Sequence, residues 1–189
     1  MDEPTLTFEH QAAWAQWLDS HHASCKGVWL RHARKGSAVQ TVSYQEALEV
    51  ALCFGWIDGV KKSLDADYFV QRWTPRGKRS IWSKVNREKA ERYIAEGKMQ
   101  PAGLAEVERA RADGRWDNAY STGSKAEVPD DLLAAFTRHP GAAEFFATLN
   151  SRNRTAVLFR IHHAKKPETR ARKIEAYAAM LARHETIYP

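Results

Sequence analysis

At 189 residues, with 43% apolar and 28% charged side chains, the chain has enough core-forming sequence for one large domain or two small ones, which excludes an intrinsically disordered segment. No apolar run reaches the roughly 18 residues of a membrane span, and the opening MDEPTLTF lacks the apolar region of a secretory signal, so a cytoplasmic protein without membrane insertion is expected. Cys25 and Cys53 are the only cysteines, which fits a reducing compartment, and the net charge of +6 permits anionic partners without requiring them.

Residues 8–18 carry Phe8, Ala12, Trp14, Trp17 and Leu18 at helical spacing and predict a first amphipathic helix. Residues 27–34 alternate, with Val28 and Leu30 opposed to Trp29 and Arg31, and predict a short strand ended by the Lys35-Gly36-Ser37 turn. Ser43 and Glu46 have the spacing of a capping box. The helix they open buries Ala47, Leu48, Ala51, Leu52 and Phe54, and Gly55 ends it. Residues 56–61 and 68–73 read as two strands around the turn-rich segment 63–67. Thr74-Pro75-Arg76-Gly77 breaks the second. From Ser83 onward the pattern is helical. Ser83 caps a helix that Gly97 closes, and Pro101 opens one that Gly114 closes. Further helices follow over 130–138, after Pro140, from Ser151 as cap, and from Pro167. The expected fold is α+β: a small N-terminal sheet of about three strands packed on helices, then an all-helical C-terminal half. The polar segment 118–127 is the expected boundary between an α+β domain at 1–120 and a helical domain at 121–189 packed on it.

Charge and aromatic residues concentrate in one window. Residues 53–86 set Trp56, Trp73 and Trp82 among Asp58, Lys61, Lys62, Arg72, Arg76, Lys78 and Arg79. Residues 72–92 hold eight Lys/Arg against Glu88 and Glu91, a local charge of +6 that equals the excess of the whole chain. Guanidinium groups stack on indoles and fork to carboxylates or phosphates. Ser83 at a helix start leaves backbone N–H groups free for an anion. The competing reading is that Trp82 staples the helix to the core, Ser83 merely caps it and Asn86 bonds locally. Asp58 is expected to pair with Arg72 or Arg76, or to orient a ligand, rather than to act as a base. Cys53 has no histidine within twenty residues and reads as a small buried hydrophobe before it reads as a nucleophile. The eight histidines show no metal-ligand spacing, and no phosphate-binding or nucleophile-elbow motif is present, so neither cofactor nor metal is expected. A second basic run, residues 162–173, holds Lys165, Lys166, Arg170, Arg172 and Lys173.

Several phrases resemble the YdeI/OmpD-associated, or bacteriocin-protection, family: ALCFGWIDG, TPRGKRSIWSKVNREKAE, GKMQPAGLAEVERARADGRWDNAY, and VPDDLLAAF followed by ETRARKIEAY. The resemblance implies a cytoplasmic bacterial protein with an α+β first part and a helical remainder, associated with peptide resistance and envelope stress. It implies no defined reaction. It marks Trp56, Asp58, Arg76, Trp82, Ser83, Asn86, Gly103, Gly114, Arg115, Trp116 and Tyr120 as motif positions.

The sequence therefore leads to a non-enzymatic protein that binds an anionic small molecule. Arg72, Arg76 and Arg79 would fix the anion beside the Ser83 helix start and Asn86. Trp56, Trp82 and Trp116 would contact the ligand body near Arg115, and Asp58 would orient it. The alternatives are a nucleic-acid-binding accessory protein that uses both basic runs, and an enzyme that uses Cys53 or Asp58.

Overall fold

Alternation settles the central strand. In β2 (Val28–Ala33), Val28, Leu30 and His32 are buried while Trp29, Arg31 and Ala33 are not, as a strand with one covered face requires. The computed structural model describes residues 3–121 and 126–189, so part of the expected boundary segment lies outside the described residues. Four strands form the sheet, in the order β1-β2-β4-β3, where about three were expected. The added strand is β1 (Thr5–Leu6), which pairs parallel to β2 through Thr5 with Trp29 and Leu6 with Leu30. Two residues are too few to show a period. β3 (Trp56–Ser63) and β4 (Tyr68–Pro75) form an antiparallel hairpin. Both outrun their expected lengths, and Pro75 stands at the strand end, where a missing N–H costs least. The β3 register shifts between Asp58 and Lys61, and the carbonyl left at Gly59 accepts from buried Gln71 Nε2 at 2.7 Å.

Helices α1 (Gln11–His21) and α2 (Tyr44–Cys53) are interspersed with these strands. α1 starts later than its apolar spacing suggests, because the His10 side chain caps it by accepting from Ala13 N at 3.2 Å. Phe8 stays outside the helix and packs on Trp14, with ring centroids 5.4 Å apart. Trp14 is fully buried and donates from Nε1 to Ala47 O at 3.2 Å, which ties α1 to α2. Ser43 and Glu46 form the expected capping box. Helices α3 (Lys84–Ala95) and α4 (Pro101–Ala112) follow.

His32 gives this core a pH dependence. Its ring is 1% exposed and stacks on Phe69. Nδ1 lies 2.8 Å from Val42 O and donates to it, while Nε2 has no hydrogen-bond partner among the described residues. Burial holds its pKa below the ordinary 6.5, against the pull of the Val42 carbonyl. The unfolded chain therefore takes up the proton first as pH falls, and stability present above 6.5 is lost below it. The melting temperature is expected to drop between about pH 7 and pH 5, and His32→Gln should flatten that slope in thermal melts. His163, shifted the same way by burial, accounts for a residual slope.

The chain divides into two compact units, Met1–Trp82 with Asn86–Asn118, and Ser83–Val85 with Ala119–Pro189. The second holds α5 (Asp130–Phe136), α6 (Ala142–Thr148), α7 (Ser151–His162) and α8 (Pro167–Ala182) around Leu132, Phe146, Val157, Ile161, Ala178 and Leu181. Asn150, not Ser151, caps α7, accepting from Asn153 N at 2.9 Å. No helix among the described residues is long and apolar enough to cross a membrane.

Candidate functional site

In the first unit, the chain leaving β4 turns back on itself at Arg76. The Arg76 backbone N–H donates to Gly55 O at 2.9 Å, which pins the strand end to the end of α2. Its side chain is 4% exposed. The guanidinium carbon sits 3.6 Å over the Trp82 ring, and Nη1 donates to Ile81 O at 3.2 Å. Arg76 thus closes the loop from Gly77 to Ile81 from inside. Gly77 N and Ser80 Oγ, 2.9 Å apart, close it from outside. Trp82 is 1% exposed and meets Trp116 edge-on, with centroids 4.9 Å apart.

Two more guanidiniums reach this loop from α4 and the turn after it. Arg109 Nη2 donates to Arg76 O at 3.2 Å and is also paired with Glu106. Arg115 Nη1 donates to Ser80 O at 2.5 Å, while its other nitrogens hold Asp113. Arg111 lies 5.1 Å from the Trp116 ring, and Arg87 Nη1 bonds Trp116 O at 3.4 Å. Burial pushes the Glu106 carboxyl pKa up, and the charges of Arg109, Arg76 and Arg115 only partly restrain it. Arg109 Nε is buried without a hydrogen-bond partner among the described residues. With Lys78 and Arg79 exposed on the same loop, cations outnumber the acids Glu106 and Asp113. An acceptor-rich anion is the group such an arrangement holds best.

Of the residues expected from sequence, Arg76, Trp82, Arg115 and Trp116 come together here, and Arg79 stays exposed on the loop. Trp56 is placed elsewhere. It is 1% exposed and stands edge-on to Trp14 and Trp17 at 6.3 and 6.2 Å, as core. Asp58 does not take the expected arginine. It accepts from Tyr44 Oη at 3.1 Å, because α2 delivers that hydroxyl to the start of β3. Arg72 is engaged by Glu3 at the far end of the sequence. Ser83 forms a parallel bridge with Tyr120 in the second unit, and Asn86 is half-buried on α3. Cys53 is buried, and burial, reinforced by Glu49, pushes its thiol up to about 11, so thiolate is scarce at neutral pH. The second basic run is partly occupied: Arg170 forks to Asp131 at 2.6 and 2.9 Å, and Lys173 donates to Arg160 O at 2.9 Å. Sequence reading missed Glu106 and Arg109. Three residues apart on a helix, they resemble an ordinary surface pair.

Residues 6–106 match the family described as a domain of unknown function (DUF8412). Residues 125–184 match the one described as Bacteriocin-protection, YdeI or OmpD-Associated. No curated protein and no solved structure matches the chain.

Proposed function

Because the chain belongs to the DUF8412 family over residues 6–106 and to the YdeI/OmpD-associated, bacteriocin-protection family over residues 125–184, we propose a non-enzymatic cytoplasmic protein that binds an anionic small molecule at the Arg76–Arg109–Arg115 cluster. One observation carries this reading: three guanidiniums, Arg76, Arg109 and Arg115, gather at one loop beside the Trp82–Trp116 pair, with the half-buried Glu106 paired to Arg109. Arg76 is already desolvated and oriented by the Trp82 ring, so little side-chain freedom is lost when an anion arrives. Arg109 supplies a donor from Nε, and Arg115, held by Ser80 O and Asp113, adds its charge. The buried, unreactive Cys53 and the hydrogen-bonded Asp58 weigh against a nucleophile or base at these positions. The description of the family matched over residues 125–184 supports linking the binding to bacteriocin protection.

A thermal-shift screen with sulfate, phosphate, citrate, and phosphorylated and carboxylated metabolites tests the proposal. At about a hundred times its dissociation constant, a ligand stabilises the fold by about 2.7 kcal/mol, so at least one anion should raise the parent's melting temperature by several degrees. Arg109→Gln and Arg115→Gln should abolish that rise. If parent and variants respond equally, or none responds, the cluster is structural only.

A further inference from the structure

The sheet has a second face that the cluster does not use. Trp29 and Arg31 on β2 alternate with the buried Val28, Leu30 and His32. Across the register, Thr5, Trp29 and Arg72 form one row, and Arg31, Val70 and Lys62 the next. Side chains of both rows line an open groove of about 620 Å³. Its floor is the half-buried Trp29 ring, with Lys62 Nζ held 4.5 Å above it. The Arg31 side chain makes no hydrogen bond or ion pair among the described residues, while its backbone pairs with Val70. Leu64, at the rim, is 49% exposed. The one acid among the lining residues is Glu3, already neutralised by Arg72. Two lining cations, Arg31 and Lys62, and Arg72 across the register from Trp29 thus flank one flat aromatic ring, with a single carboxylate against them.

We propose that this face binds single-stranded nucleic acid, with a base stacked on Trp29 and phosphates on Arg31, Lys62 and Arg72. The charge balance selects a polyanion. The ring selects a ligand with exposed flat faces, which a single strand offers and a duplex hides. An acidic peptide would satisfy the cations but leave the ring unused. The lining also crosses all four strands, from Thr5 on β1 to Lys62 on β3, a path of about 14 Å at ~4.8 Å between neighbouring strands, which suits a chain better than a compact ion. Lys62, now over the ring, swings to a phosphate as the base arrives. Glu3 opposes binding, since its carboxylate both repels phosphate and occupies Arg72. The inference stands apart from the small-anion site, which uses none of these side chains.

Fluorescence anisotropy of the full chain with labelled oligothymidylate and oligouridylate of about 12 nucleotides, at roughly 50 mM salt, tests it. Binding at micromolar protein is expected. It should fall steeply with added salt and be at least about tenfold weaker for the matching duplex. Trp29→Ala should weaken it about tenfold, the order of one lost stacking contact. Arg31→Glu/Lys62→Glu changes side chains outside the core; it should abolish binding while leaving the melting temperature in place. Glu3→Gln should strengthen binding by freeing Arg72, and Arg109→Gln should leave it unchanged. Failure of the single strands to bind, equal affinity for duplex, indifference to Trp29 and Lys62, or competition by polyglutamate as strong as by oligonucleotide would each overturn the proposal. So would weakening by Glu3→Gln.

Discussion

Gly103→Ala is expected to lower the unfolding midpoint of the first unit by about 5–10 °C, a larger loss than any other single methyl group added to this chain should cause. Gly103 is buried in α4, and a Cβ built there lies 2.2 Å from the carbonyl oxygen of Cys53 and 2.8 Å from Met99 Cε. The methionine tip can move. The carbonyl cannot, because it ends α2 and accepts from Gln100 N at 3.0 Å. Alanine therefore forces α4 away from α2. Overpacking of this kind costs about 1–3 kcal/mol, occasionally more, offset by up to about 1 kcal/mol of helix propensity. Gly55 guards the other side of the seam. Its φ is +72°, and its Cβ would sit 2.9 Å from Ala102 O and 2.8 Å from Glu106 Cγ. Gly114→Ala is the control, since its φ of +77° is equally strained but nothing lies within 4 Å. Thermal and urea melts should rank Gly103→Ala and Gly55→Ala well below Gly114→Ala. A Gly103→Ala protein that melts within a degree of the parent would show that the seam is loose. Displacing α4 also carries Glu106 and Arg109 away from Arg76, so the same variant should lose its response to anions.

What sequence revealed and what it hid follow one physical line. Ser43 and Glu46 were legible because a capping box is made by neighbours. β2 was legible because a half-covered strand must alternate. β1 was not, since two residues hold their place only through a partner more than twenty positions on. Asn150 and Ser151 are adjacent and chemically equivalent as caps, so position along the helix decided between them. Charge counting located the window 72–92 but could not tell Arg76 from Arg79. The first is sealed against Trp82 and the second is exposed, a difference created by the loop folding back. The partners of Asp58 and Arg72 were hidden for the same reason, since Tyr44 and Glu3 stand fourteen and sixty-nine positions away. The resemblance marked Gly103 without a cause, which the Cys53 carbonyl now supplies.

Glu106→Gln should convert the cluster from a self-neutralised one into a stronger anion receptor, with sulfate affinity raised about tenfold or more at pH values where the parent carboxyl is ionised. The carboxylate pairs with Arg109, which an incoming anion also needs, so the two compete. At an effective dielectric near 20, two like charges a few ångströms apart repel by up to a few kcal/mol, and about 1.4 kcal/mol is already tenfold. Sulfate is the right probe because its charge is constant across the range, so any pH dependence belongs to the protein. In the parent, burial raises the Glu106 pKa above its ordinary 4.5, and the folded state favours the protonated form. Stability from this group is therefore full below 4.5 and lost as pH rises through the folded value. Sulfate binding should fall over the same interval, because the ionised carboxylate then claims Arg109. In the Gln variant both dependences should vanish, while Glu106→Asp should keep them. Should the sulfate-induced melting shift be the same in parent and Gln variant from pH 5 to 8, the carboxylate does not face the bound anion, and the guanidiniums at Arg76, Arg109 and Arg115 would have to be read as serving only the packing of α4 against the loop.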